Sequence, residues 1–238
     1  MVLVLLLVLL LFLSPPAFYA RPRAVKVMKE EKESSTEQLR QGCAQLGLAL
    51  SAEQLAQMRA HLDLLAKWGG RLNLTSVARG DMVARHLLDS LSIAKFVRGR
   101  ALLDVGSGGG FPGLPLAVAM PQLRVTLLES RAKRAAFLRH ACAEIGAQNA
   151  EVAAMRVQDA RGREKFDTLA VRAFAPLAGI VAATGALHRR GCRVLAMKGR
   201  LPRNELADLS PKWRARCTVE TLNVPFVDAE RHLVIIET

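Results

Sequence analysis

The sequence is poor in aromatic residues. They make up 5% of its 238 residues, with one Tyr and two Trp, so the core is aliphatic. Cysteine is scarce and scattered. Cys43, Cys142, Cys192 and Cys217 have neither the close spacing of a zinc site nor that of a redox motif. They read as reduced, small core hydrophobes of a cytoplasmic protein. His61, His140, His188 and His232 also lack ligand spacing, so no metal is expected. Acidic residues are in deficit, 21 Asp and Glu against 34 Lys and Arg, and the net charge is +13. Such an excess suits a polyanionic partner, nucleic acid first. A membrane-spanning run is missing too. The longest apolar stretch, Val2–Leu13, has 12 residues, and a spanning helix needs about 20.

That stretch carries no preceding Lys or Arg and a poor cleavage signal, unlike a secretory signal peptide. Met28 opens "MKEEKESSTEQ", an ordinary polar beginning. An over-extended start is the expectation, with a signal anchor as the alternative. Residues 1–27 hold three basic and no acidic residues, so the basic balance does not depend on them. No stable membrane association is expected, and nothing suggests an apolar interface beyond that of a monomer.

Three regions emerge: an N-terminal extension (1–33), a helical module (34–98) and an α/β domain (99–238). In the module, residues 34–68 read as helical, with a stop at Gly47. Ser51 caps "SAEQLAQMRAHLDLLAKW", where Leu55, Met58, Leu62 and Leu65 recur at 3–4 spacing. Gly69-Gly70 is expected to end this helix. "RLNLTSV" reads as a loop and "DMVARHLLDSLSIAKF" as helical again. After residue 100 the texture changes. "RALLDVG", "RVTLLES" (124–130), "AEVAAMRV", "FDTLAVR" (166–172) and "GCRVLAMKG" (191–199) read as strands, most of them separated by helices such as 131–146. This alternation predicts a parallel sheet covered on both faces. The tail adds two strands without a helix between them, a terminal antiparallel hairpin.

Five of the eight residues Gly106–Gly113 are glycine, directly after the first strand. In a doubly wound sheet, ligands bind at the carboxyl ends of the strands, and glycines let a backbone turn tightly against them. Glu129, 23 residues after Gly106, stands where a carboxylate bonds ribose hydroxyls. Two registers compete. Gly108, Gly110 and Gly113 satisfy the dinucleotide pattern G-x-G-x-x-G. Asp104, Gly106, Gly108 and Gly110 satisfy D-x-G-x-G-x-G, the pattern of S-adenosylmethionine (SAM) methyltransferases. The dinucleotide register would bury Asp104 unpaired inside the strand, which is costly. Pro112 and Pro115 also suit a phosphate-cradling helix N-terminus badly. SAM is therefore the expected cofactor, with Asp104 facing its polar groups.

"LLDVGSGGGFPGLPLAVAMP", "LLESRAKRAAFL", "VRAFAPL", "WGGRLNLTSV", "RHLLDSL", "MKG" and "ERHLVII" closely resemble the bacterial 16S rRNA guanine-N7 methyltransferase family, RsmG or GidB, in order from about Ser51 to Glu237. The resemblance implies a class I SAM-dependent methyltransferase: a Rossmann-like, seven-stranded, mostly parallel sheet with a helical extension. It implies methyl transfer to N7 of guanine 527 in the 530 loop of 16S rRNA in the small ribosomal subunit, hence RNA binding and rRNA processing. The family's cofactor contacts fall on Gly106, Phe111, Val157, Gln158 and Arg172. Gly69 stands where Asn is usual, and Gln158 where an acid is common, though Asp159 follows. Phe111 could stack on a base or pack the loop onto the sheet. Arg172 and Lys198, ending the fourth and fifth strands, are the candidate catalytic residues, acting through position and charge. Arg189, Arg190, Arg193, Lys198, Arg200 and Arg203, and separately Arg131, Lys133, Arg134 and Arg139, are candidate phosphate contacts. His86, Asp89 and Ser90 read as a hydrogen-bonded helix face or a lid over the cofactor, since a hydrolytic triad is recognised by geometry rather than local spacing. A small-molecule SAM methyltransferase, a nicotinamide-dependent oxidoreductase and a non-catalytic rRNA-binding assembly factor are the competing readings.

Overall fold

The strand "ALLDV", β1 (Ala101–Val105), is buried at all five positions and lies mid-sheet. A computed structural model describes residues 22–160 and 166–238, without the side chains of 22–32 and 188–190. The apolar run Val2–Leu13, with both readings of it, lies outside the described residues. Contacts divide the chain into Met1–Glu37 and Gln38–Thr238. Of the first unit only the opening turns of helix α1 (Pro22–Gln45) are described. The second unit holds the sheet, the remaining helices and every candidate site residue.

The other strands are β2 (Arg124–Leu128), β3 (Ala150–Ala153), β4 (Phe166–Arg172), β5 (His188–Lys198), β6 (Cys217–Thr221) and β7 (His232–Glu237). They form one seven-stranded sheet in the order β3-β2-β1-β4-β5-β7-β6. β7 alone is reversed, pairing antiparallel with β5 on one side and β6 on the other. The terminal hairpin therefore inserts its second strand beside β5. β5 starts earlier than expected, with His188 opposite Phe166. Alternation along the buried strands divides the core in two. Leu102, Leu127, Leu195 and Leu233 face one cluster, and Leu103, Leu128, Val194 and Val234 the other.

The helical residues pack into the first of these clusters. Helix α2 (Ala52–Leu72) starts at a capping box, with Ser51 and Gln54 each bonding the other's backbone. Its inward face carries Leu55, Met58 and Leu65 into the core. Polar side chains then fix its position: Gln54 donates to the Val118 carbonyl and Gln57 to that of Ile145. The helix runs through Gly69-Gly70, where the sequence predicts a stop. Asn73 ends it in the left-handed conformation at φ 49°, donating its N–H to the Gly69 carbonyl. The segment "DMVARHLLDSLSIAKF" is helical in pieces. A π-helical stretch, Val83–Leu88, passes into a single α-turn, α3 (Asp89–Leu91), and a short 3-10 turn follows at Ala94–Phe96.

The remaining helices are α4 (Gly113–Ala119), α5 (Ala132–Glu144), α6 (Leu177–Thr184), α7 (Arg203–Ala207) and α8 (Pro211–Arg214). Gly113 lets α4 approach the sheet. A Cβ there would stand 2.4 Å from Leu127 Cδ2 and 2.7 Å from Asp104 Oδ2. Among the described residues no helix is long and apolar enough to cross a membrane, and none of the four cysteines is in a disulfide.

Candidate active site

Every parallel strand delivers its last residue to one edge of the sheet. The loop after β1 therefore opens beside the ends of β2 and β4. Gly106, Gly108 and Gly110 have φ of 76°, 55° and 93°. Such angles strain any residue with a Cβ. Gly106 and Gly108 are half-buried, Gly106 with the Phe174 ring against it and Gly108 with bare backbone, whereas Gly109 and Gly110 are buried. A Cβ on Gly108 would meet nothing nearer than the Gly106 carbonyl at 3.8 Å. There is room for a ligand to lie against the turn. Glu129, just past β2, is buried and accepts the backbone N–H of Gly108 at 3.1 Å and of Arg131 at 2.8 Å. Val157 is buried and Gln158 exposed on the 3-10 turn after β3.

Asp104 departs from expectation. It does not face an open site but is fully buried. Its Oδ2 accepts the N–H of Gly113 at 2.9 Å, and its Oδ1 is buried with no partner. Burial pushes the carboxyl up to about 7, against the pull of the Gly113 N–H. The residue joins β1 to the start of α4 from beneath the turn.

Phe111 is buried, and two imidazole rings stack on it. His61 stacks on it with centroids 4.7 Å apart, and His86 at 4.6 Å. The Arg172 guanidinium lies 5.3 Å from the same ring centre. Of the two options for Phe111, packing the loop is the one the geometry supports. Both histidines are held neutral. Burial takes His61 down to about 4, and burial plus the Arg172 charge takes His86 to about 3. Arg172 can only donate, so His86 Nδ1 accepts from it at 3.0 Å, and its Nε2–H donates to Thr75 Oγ1 at 2.7 Å. His61 Nε2–H donates to the Gly109 carbonyl at 2.7 Å. Helix α2 and the π-helical stretch thus grip the glycine loop from below.

Arg172 is committed to protein partners. It donates to Asp89 at 3.1 Å as well as to His86, and Arg231 donates to the other Asp89 oxygen at 2.8 Å. Burial draws the Arg172 pKa down, with Asp89 opposing it. Lys198 is also occupied: its Nζ donates to Glu205 at 2.7 Å and to the Ala175 carbonyl at 3.2 Å. Both candidate catalytic residues therefore hold other parts of the site in place. The linear stretch Arg189–Arg203 is not one spatial cluster. Arg193 sits midway along β5, opposite Glu237, and pairs with it. Lys198, Arg200 and Arg203 come at the ligand edge. The side chains of Arg189 and Arg190 lie outside the described ones. Of the second group, Arg131, Lys133 and Arg139 are exposed, and Arg134 donates to the Asn73 carbonyl at 2.6 Å.

Sequence reasoning misses His61, Arg231 and Phe174. The first two touch the site only through distant chain segments. Phe174 has a local signal: an apolar aromatic two residues beyond the end of a buried strand, where nothing further on that strand can cover it.

A family model described as "rRNA small subunit methyltransferase G" matches residues 54–234. The ribosomal RNA small subunit methyltransferase G of Alkalilimnicola ehrlichii is 47% identical over 82% of this chain and 89% of that protein. That of Aromatoleum aromaticum is 45% identical over 84% and 97%. Among solved structures, a methyltransferase from Geobacter sulfurreducens aligns with a TM-score of 0.55 at 15% identity, over 84% of this chain and 96% of that one. The O-methyltransferase from Bacillus cereus, crystallised in complex with SAH, aligns with a TM-score of 0.52 at 18% identity, over 75% and 90%. The fold is accordingly that of the class I methyltransferases, and the chain belongs to the rRNA small subunit methyltransferase G family.

Proposed function

We propose that this protein transfers a methyl group from SAM to N7 of guanine 527, in the 530 loop of 16S rRNA, acting in the cytoplasm. The observation that carries the reading is the turn at Gly106–Gly108. At Gly108 it presents bare, left-handed backbone beside the Glu129 carboxylate, at the carboxyl edge of a sheet whose family acts on small-subunit rRNA. That turn fits the cofactor: there is room against Gly108, and a carboxylate at the next strand end can accept ribose hydroxyls. Gly106, Gly108, Glu129, Val157 and Gln158 would hold it. Asp104, Phe111 and Arg172 would shape the turn from beneath.

The cofactor supplies a methyl on a positively charged sulfur; the N7 lone pair forms the new N–C bond as the S–C bond breaks, leaving a neutral thioether and a cationic base. N7 of guanine is an acceptor with no proton on it. The protein therefore needs no general base. Its task is to place the base edge and tolerate the developing positive charge. Arg172 and Lys198 serve as positioning residues: one clamps His86 and Asp89, the other pins the loop after β4. The exposed Arg131, Lys133, Arg200 and Arg203 supply phosphate contacts, which raise affinity without reading sequence.

Labelled SAM incubated with small subunits from cells lacking the modification tests this. Chemical cleavage at N7-methylguanine should map a single site in the 530 loop. Label elsewhere in the RNA would discard the position, and no label in subunits or naked RNA would discard the substrate.

A further inference from the structure

Among the described residues, two large hydrophobic side chains are exposed, Phe174 at 41% and Phe226 at 50%. Both belong to segments at the ligand edge. Phe174 follows the end of β4, and Phe226 precedes β7, whose first residue, His232, lies opposite Lys198. Phe174 is the one placed on the glycine turn. A Cβ on Gly106 would stand 2.9 Å from Phe174 Cδ2 and 3.6 Å from its Cε2, so one edge of the ring lies against that glycine.

Several features hold it there. Ala173 has φ 52°, a left-handed angle that strains a residue with a Cβ. This angle reverses the chain as it leaves β4 and sends the next side chain out over the turn. The loop is then tied on both sides. Arg172 before it is bonded to Asp89 and His86. After it, Lys198 binds the Ala175 carbonyl, and Glu205 accepts the Leu177 N–H at 2.8 Å as well as the Lys198 ammonium. An apolar ring left in water, on a strained and firmly anchored loop, is a feature the fold does not need for its own packing.

Resting on the proposed rRNA reading, we infer that Phe174 is the stacking platform for the target guanine. The geometry of the reaction favours a face contact. The N7 lone pair lies in the plane of the purine, so a protein that grips the base by its flat face leaves the N7 edge free for attack. Bases taken out of a stack are held on aromatic faces in this way. A π-face also suits the chemistry, because guanine gains positive charge on methylation and a cation is attracted to an aromatic face. The contact is then stronger in the transition state than in the ground state, and its loss lowers kcat as well as raising KM. Phe111 cannot do this work, since it is buried with His61 and His86 stacked on it.

The test compares wild type, Phe174→Leu and Phe174→Tyr. Each is assayed for label transfer from SAM to unmodified small subunits, for SAM affinity by calorimetry, and for thermal midpoint. Leucine keeps the apolar bulk and removes the π-face; tyrosine keeps both. The expected result is a loss of roughly 10- to 100-fold in kcat/KM for F174L, carried partly by kcat, with unchanged SAM affinity and midpoint. F174Y should return to within a few-fold of wild type. An F174L enzyme as active as wild type overturns the inference while leaving the functional reading intact. So does a parallel loss of SAM affinity, which would make the ring a cofactor cover. A wild-type protein that labels no subunit overturns the functional reading itself, and this inference with it.

Discussion

Two phenylalanines flank the glycine turn, and they live in opposite environments. Phe111 lies beneath it, buried against two neutral histidines and an arginine. Phe174 lies above it, exposed, with one ring edge against Gly106. The underside is a dense polar lattice, in which His61, His86, Arg172, Asp89 and Arg231 bind one another or the loop. The upper side is bare glycine and one ring. The difference separates two tasks that a sequence motif runs together: holding a loop in a strained shape, and leaving its outer surface free for a ligand. Buried networks are costly to break because each group left behind is desolvated and unpaired.

The largest effect should therefore come from beneath. Asp89 is the common partner of Arg172 and Arg231, whose side chains are each 21% exposed. Replacing Asp89 with Ala leaves two cations facing each other over a buried gap. A destabilisation of about 3–5 kcal/mol is expected, which lowers the thermal midpoint by on the order of 10 °C. Asp89→Asn keeps an acceptor without the charge and should fall between mutant and wild type. A D89A midpoint within a degree or two of wild type would show that the lattice contributes little and would erase the contrast between the two sides.

Phe111→Leu comes next. It removes a ring that touches two histidines, at a cost of about 1–3 kcal/mol. Phe174→Leu, at an exposed site, should change stability by less than about 0.5 kcal/mol. Urea denaturation of the two variants side by side measures this directly. Equal losses would mean that Phe174 is a structural residue after all.

The underside should also give the protein its acid sensitivity. His61 and His86 are depressed to about 4 and about 3, so the unfolded chain binds their protons first as pH falls below 6.5. Their stabilisation is complete above 6.5 and is lost on acidification. Asp104, raised to about 7, acts in the opposite sense: its contribution is complete below its ordinary 3.8 and is lost as pH rises through 7. Between pH 4 and 6.5 two groups oppose one. The net expected loss is about 1.4 kcal/mol per pH unit of acidification. Asp104→Asn removes the opposing group and should steepen the slope to about 2.8 kcal/mol per unit. Unfolding free energies at half-unit steps of pH decide it, and an unchanged slope in D104N would contradict the burial assigned to that carboxyl.

The upper side of the site is the more legible of the two in the sequence. A buried strand, a run of glycines and an acid 23 residues on are local signals, and β1, the turn and Glu129 stand where those signals put them. β4 matches "FDTLAVR" end to end. The underside is legible only in pieces. His61 and Arg231 lie far apart in the chain, and only packing brings each to its partner. Spacing alone therefore leaves His61 inert and makes His86–Asp89–Ser90 a helix face. Asp104 misleads for a related reason. Its position in the motif implies a ligand, but whether a strand-end carboxylate points into the site or under the turn depends on where α4 begins. Gly69-Gly70 misleads differently: a buried glycine can continue a helix when its neighbours leave no room for a Cβ, and Thr75 Cγ2 would lie 3.2 Å from one on Gly69.

Two glycines give the sharpest comparison of the two sides. Gly108 and Gly113 belong to the same turn, one facing out and one facing in. At Gly113 an added Cβ strikes Leu127 and Asp104, so Gly113→Ala should cost about 1–3 kcal/mol through overpacking and act on the cofactor only indirectly. At Gly108 the Cβ meets nothing closer than 3.8 Å, and the penalty is the left-handed backbone alone, about 1 kcal/mol. That same Cβ projects into the space where a ligand would lie. Gly108→Ala should fold and melt nearly as wild type while binding SAM at least tenfold more weakly by calorimetry. Wild-type affinity in G108A would move the cofactor off this turn, because no ligand can rest against a backbone and ignore a methyl group placed upon it.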